Sequence, residues 1–224
     1  ARERGEAGLA RKAAAALASA LSSPDERASA RVRAAELTSD AETKESILRE
    51  AVQSSPQHPT AAEALARACV ARGDDAAAAE ALEAAAKATE VRGRAAALLD
   101  EAAKLWDEKV GDAARARAAL ELASERDVTH GDVFTRLQGI LETAGDRERL
   151  AQLLGARISA GGEPAELVAL YLEQAELRKS ISDVTGAKAS LRAALGLEPE
   201  RIEAKRDQAE LCHKDEDSRG AAEV

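Results

Sequence analysis

Asp183-Val184-Thr185-Gly186-Ala187-Lys188-Ala189-Ser190-Leu191-Arg192-Ala193-Ala194-Leu195-Gly196-Leu197-Glu198-Pro199 is the stretch whose reading decides the fold. It opens on an acid suited to capping a helix and complementing its dipole. Ala187, Leu191, Ala194 and Leu195 then recur at the three- and four-residue steps of one helical face. Pro199, which cannot continue a helix, closes the run. Upstream, Leu167, Leu170, Tyr171 and Ala175 draw a second stripe of the same kind. Two amphipathic helices joined by an acidic turn therefore form one unit.

The unit recurs along the chain. Gly73-Asp74, Gly111-Asp112 and Gly145-Asp146 lie 38 and 34 residues apart. Asp40 stands 34 residues before Asp74, and Glu6, preceded by Gly5, another 34 before that. Asp183 follows Asp146 by 37 residues, and Asp217 follows Asp183 by 34. Pro24, Pro59, Pro164 and Pro199 stand at spacings of 35, 105 and 35, with Pro56 three residues from Pro59. All five fall roughly midway between acidic turns, where a helix begins or a link runs. Two unrelated residue types thus report one phase, the mark of stacked helical repeats.

The resulting expectation is a single solenoid over residues 1–224, with a leading half repeat at 6–21. Repeats are expected at about 25–59, 60–93, 94–130, 131–163 and 164–199, and a partial one at 200–224. The last first-helix is expected at 201–213, with a turn at Asp217 and the start of its partner beyond. The intervals of 38 and 37 residues predict an extra helical turn or a longer link within 93–110 and 160–183. Both ends fall inside repeats and the chain opens on Ala1 with no Met, so an excised piece of a longer protein is expected.

Composition agrees. Aromatic residues make up 1% of the chain, and alanine supplies the apolar positions instead. Alanine is the best helix former and lets helix axes approach closely, which favours many thin layers over one thick core. Asn is absent and β-branched residues are sparse, so no sheet is expected. The Ala- and Arg-rich, Asn-free composition suggests a GC-rich bacterial genome. The net charge of −9 argues against nucleic acid, which needs a basic face to neutralise phosphates. No run approaches the roughly 18 uncharged apolar residues of a membrane span. The compartment is not fixed by the sequence, with the cytoplasm favoured.

The phase of these residues resembles the tetratricopeptide repeat family. Asp183, Ala187, Leu191, Ala194 and Pro199 match that family's second helix at every step. Asp74, Ala78, Leu82 and Ala85 match without the proline, as do Asp112, Ala116, Leu120 and Ala123. Asp40, Leu48, Ala51 and Pro56 fit, with Lys44 where Ala is expected; Leu150 and Arg157 also depart from small positions. The resemblance implies an all-α, right-handed superhelical solenoid of antiparallel helix pairs. It further implies that the first helix of each pair lines a concave groove holding a protein or peptide.

Mapped from the turns, that groove face takes Ser29, Arg33, Glu36, Glu63, Arg67, Glu142, Leu172, Glu176, Arg206 and Glu210. Leu172 is its one apolar member, on a face that packing is not expected to require. Chaperone-docking relatives hold a C-terminal carboxylate with groove Asn and Lys residues, and the absence of Asn argues against that activity.

Catalytic chemistry finds no foothold. His58 falls in a link, His130 opens a repeat and His213 ends a helix, none at a structural-zinc spacing from Cys or carboxylate. Cys69 and Cys212 share one position four repeats apart and read as small buried fillers. No glycine-rich run ends in Lys-Ser or Lys-Thr, and no Ser or Thr has an organised His/Asp partner. The expectation is a non-catalytic protein-interaction scaffold with no cofactor or metal; the alternative is a passive spacer or self-association segment. Far-UV circular dichroism should show helix well above the roughly one-third typical of globular chains and no strand signature.

Overall fold

The computed structural model describes residues 8, 9, 12, 13, 16, 19–58 and 60–222, with side chains described as far as 213. Gly5, Glu6 and Pro59 lie outside the described residues. Gly8, Leu9, Lys12, Ala13, Ala16, Ser19 and Ala20, within the expected leading helix, are helical.

Five helix pairs and a final helix follow. They are α1 (Pro24–Glu36) with α2 (Ala41–Ser54), and α3 (Ala61–Ala71) with α4 (Asp75–Ala88). Then come α5 (Arg92–Lys104) with α6 (Ala113–Asp127), and α7 (Val133–Ala144) with α8 (Arg147–Ser159). The last are α9 (Pro164–Ser180) with α10 (Val184–Leu197), and α11 (Ile202–Ala222). Among the described residues there is no strand. Pro24 and Pro164 occupy first turns, while Pro56 and Pro199 stand in links. The chain is all-α, and within each of its two units the helices pack in sequence order.

The turns do what the acidic ladder predicts. Asp40, Asp74, Asp112, Asp146 and Asp183 each cap a helix, accepting from the backbone N–H of Thr43, Ala77, Arg115, Arg149 and Gly186. These bonds span 2.8–3.3 Å. The preceding residue is left-handed in four of the five turns: Gly73, Gly111 and Gly145, with φ of 77, 76 and 68°, and Ser182 at 64°. That conformation ends a helix and lets the next N–H reach back to an orphan carbonyl. The N–H groups of Asp74, Asp146 and Asp183 accordingly donate to the carbonyls of Cys69, Leu141 and Arg178, at 2.9, 3.0 and 2.8 Å.

Asp217 makes no turn. It lies inside α11, which runs to Ala222 in place of ending near His213. Glu216 precedes it where the working turns place a left-handed Gly or Ser, so nothing stops the helix. His213 is correspondingly interior to a helix, not at its end.

Both long intervals are absorbed by helix. α9 has 17 residues against 11 to 13 for α1, α3, α5 and α7. α5 continues without a break into a π-helical segment, Leu105–Val110. A π turn accommodates extra residues inside a helix and re-aims its side chains. It sends Trp106, 2% exposed, against α4 and α6. There the indole Nε1–H donates to Glu83 at 2.7 Å, and the Arg115 guanidinium lies 4.3 Å from the ring centroid.

The contacts divide the chain into two compact units, one ending at Val133 and the next starting at Phe134. In the first, each of α1 to α5 packs on its successor, and α1 also touches α3. Its core is Val32, Ile47, Leu48, Leu82, Leu98, Leu99, Trp106 and Leu120 among many alanines. A buried carboxylate joins its first two hairpins: Glu45 of α2, 8% exposed, binds Arg49 and Arg72, which hold it below the usual carboxylate range. In the second unit α9 packs on α8 and α10, and α11 packs on α10. A cluster of Ala175, Ala187, Leu191, Ala204 and Leu211 sits among these last three helices. Cys69 is buried, as expected, but Cys212 is exposed on α11.

Removing a cap should cost little folding energy but clearly measurable amounts. Asp112→Ala should lower the stability of the first unit by about 1 kcal/mol, while Asp112→Asn, which keeps an acceptor, should lose far less. Urea unfolding of the three chains checks this.

Candidate functional site

The first helices of successive pairs present one face in each unit. In the first unit that face comes from α1, α3 and α5, and in the second from α7, α9 and α11. Polar contacts join neighbouring first helices along it. Ser29 of α1 meets His58, in the link before α3, at 2.8 Å, and Glu63 of α3 meets Arg94 of α5 at 2.6 Å. In the second unit Gln138 of α7 donates to Glu173 of α9 at 2.6 Å, and Lys179 of α9 donates to Asp207 of α11 at 3.4 Å.

The expected groove residues are distributed unevenly over this face. Arg33, Glu36 and Arg67 are exposed. Ser29 and Glu63 are half-buried, engaged in the contacts just described. Glu142 is exposed and accepts from Gln138, and Glu176 is exposed and pairs with Lys179. Arg206 is exposed, 3.7 Å from Asp207, and Glu210 is exposed with a partner of its own.

Leu172 is a correction. It is half-buried and packs against the Ala175–Leu191–Leu211 cluster, so the second unit uses it as interior packing. The long α9 explains this: its extra turn carries more apolar side chain than a shorter first helix has to place.

Three cavities open along these faces. One of about 580 Å³ is lined by Ser29 and Arg33 with Leu21, Ala30 and Leu37. A cleft of about 460 Å³ between α1, α2 and α3 brings Glu36 and Arg67 together. The third, of about 340 Å³ between α9 and α11, brings Glu176 and Glu210 together. A further hollow of about 240 Å³ is lined mainly by second-helix residues, Arg49, Val52, Glu80 and Ala84 among them, with Leu65 of α3.

Sequence reasoning missed Lys44, Arg94, Gln138, Glu173 and Lys179. An opposite charge near one repeat length from a groove residue, as Arg94 is from Glu63, is the signal that could have found some of them. Among the described residues no three His, Cys, Asp or Glu side chains gather as a metal site. No described helix is long and apolar enough to cross a membrane.

The hairpins, with their capped turns and stacked first helices, are those of a tetratricopeptide-like solenoid. The fold is tetratricopeptide-like. No protein-family model matches the chain, and no curated protein matches it. Among solved structures it is similar to a thermophilic TPR protein of Thermus thermophilus, at 17% identity and a TM-score of 0.34. That similarity covers 83% of this chain and 98% of the other. It is also similar to the C-terminal part of a TPR repeat-containing protein of Cytophaga hutchinsonii, at 14% identity and a TM-score of 0.40, covering 86% and 72%. A third is BtubC of P. vanneervenii, at 17% identity and a TM-score of 0.37, covering 88% and 90%. These likenesses are faint, and the fold assignment rests on the chain's own hairpins and caps.

Glu173 supplies a pH test of the second unit's face. Burial, then the neighbouring Glu142 carboxylate, pushes its carboxyl above the ordinary range. The folded chain therefore holds this proton more readily than the unfolded one, and stability declines as pH rises from the ordinary carboxylate range through the raised value. Glu173→Gln should remove that decline. The variant should be more stable than the native chain at neutral pH and equal to it in acid, as read by thermal unfolding across pH.

Proposed function

We propose that the chain is a non-catalytic scaffold that binds a protein partner on the first-helix faces of its two units. The observation that carries this reading is the pairing of residues one repeat apart in shared clefts, Glu36 with Arg67 and Glu176 with Glu210. A partner laid across the first helices would meet side chains from consecutive repeats at once. Of the four hollows described above, the three lined by first-helix face residues are larger than the one lined mainly by second-helix residues. A solenoid makes such a face long and continuous within each unit, which suits an extended or helical ligand.

Leu172 is a poor probe of this reading, because a charge there would disturb the buried cluster it packs against. Arg33 and Glu176 are better, being exposed and on the faces of separate units. Titration of the native partner against Arg33→Glu and Glu176→Lys should show affinity reduced about tenfold in at least one, or about 1.4 kcal/mol. Lys87→Glu, on the exposed side of the second helix α4, should leave it unchanged. A partner sensitive to Lys87 and indifferent to both face residues would move the site to the second helices.

A further inference from the structure

The cleft between α1, α2 and α3 has an unusual charge state for this chain. Its floor is apolar and buried, formed by Val32, Ala35, Leu48 and Ala68. Lys44 and Arg67 line it, and among the described residues neither side chain makes an ion pair or a hydrogen bond. Several other basic side chains of the same unit are matched: Arg31 by Glu50, Arg49 and Arg72 by Glu45, Arg94 by Glu63, and Arg115 by Glu80. What distinguishes Lys44 and Arg67 is that the two share one apolar-floored cleft in a chain of net charge −9. Glu36 is the one carboxylate in the lining, so the excess is positive.

The departure of Lys44 from the repeat pattern belongs to the same feature. Its counterparts Ala78, Ala116 and Ala187 are at most 1% exposed and close the crevice within their own hairpins. Lysine cannot be buried there without a partner for its charge. It is half-exposed, its stem along the cleft. The N-terminal end of α2 also opens on the cleft at Ala41, adding its positive dipole end. The Asp40 carboxylate beside it is occupied with the Thr43 N–H.

We propose that this cleft receives an acidic segment of the partner protein, with a side-chain carboxylate between Lys44 and Arg67 and an adjacent apolar side chain on the floor. The proposal rests on the first-helix reading of function and narrows its partner to a segment alternating acidic and apolar residues. Charge complementarity and the apolar floor choose that occupant over a basic or purely polar one.

Fluorescence anisotropy with the full chain tests it. The probe is a short labelled peptide of alternating Leu and Glu, amidated at its C-terminus. It should bind saturably at low salt, and a matching peptide with Lys for each Glu should bind at least about tenfold more weakly. Lys44→Ala with Arg67→Ala should weaken the acidic peptide by about tenfold or more with unchanged circular dichroism. Alanine is what other repeats carry at the position of Lys44, so the variant is compatible with the fold. Lys87→Ala should bind as the native chain does. No saturable binding, equal binding by the double variant, equal binding of the lysine peptide, or binding that needs a free C-terminal carboxylate would each overturn the proposal. None of these results touches the scaffold reading, which stands or falls with the native partner's response at Arg33 and Glu176.

Discussion

In four of the five hairpins one aspartate carries two obligations, and the architecture follows from their being met by the same residue. Its backbone N–H satisfies a carbonyl left over at the end of one helix, and its carboxylate satisfies an N–H left over at the start of the next. This holds only if the residue before it turns left-handed, which glycine does without steric penalty and Ser182 does at some cost. The turn is then so short that the two helices have to fold back on one another. Where the constraint is lifted, as at Glu216-Asp217, the chain continues as a single helix. Hairpin length, and with it which residues face which neighbours, is set by the spacing of these turns.

Between turns, alanine determines how the layers meet. Small side chains bring helices close, so each interface is thin and adds little buried apolar area of its own. Larger side chains appear where a layer needs filling: Ile47 and Leu48 in α2, Leu82 in α4, Leu120 in α6, Leu191 in α10. Polar contacts between successive first helices supplement these interfaces on one face. Many charges on that face are therefore already committed within the stack. Lys44 and Arg67 differ in sharing a cleft whose lining offers a single carboxylate, Glu36.

The helix pairs, their caps and their proline starts were legible in the sequence because each depends on residues close in the chain. Asp183 caps Gly186 whatever lies elsewhere, and the 38- and 37-residue intervals show in the sequence where an extra turn or a longer link must fall, though not which of the two. The π-helical form of Leu105–Val110 was not legible, since it answers to how Trp106 fits against α4 and α6. Leu172 was misjudged for a related reason. Its place on a stripe is a local property, but its contact with Ala175, Leu191 and Leu211 depends on where α10 and α11 come to rest. Of the site, the exposed positions Arg33, Glu36 and Arg67 could be mapped from the turns. Which charges cancel, as Glu63 does with Arg94, depends on side-chain reach across a repeat and had to be seen.

The π turn has a further consequence, because it holds the chain's single tryptophan. Trp106 is enclosed at one hairpin junction of the first unit, its ring nitrogen bound to a carboxylate and its face under a guanidinium. The one tyrosine, Tyr171, belongs to the second unit. Indole emission is thus a private optical signal of the first unit, reporting on the buried site where Trp106 meets Glu83 and Arg115. Phenol emission belongs just as privately to the second. The chain comes with a built-in colour code by which the melting of each unit can be followed separately in the same cuvette.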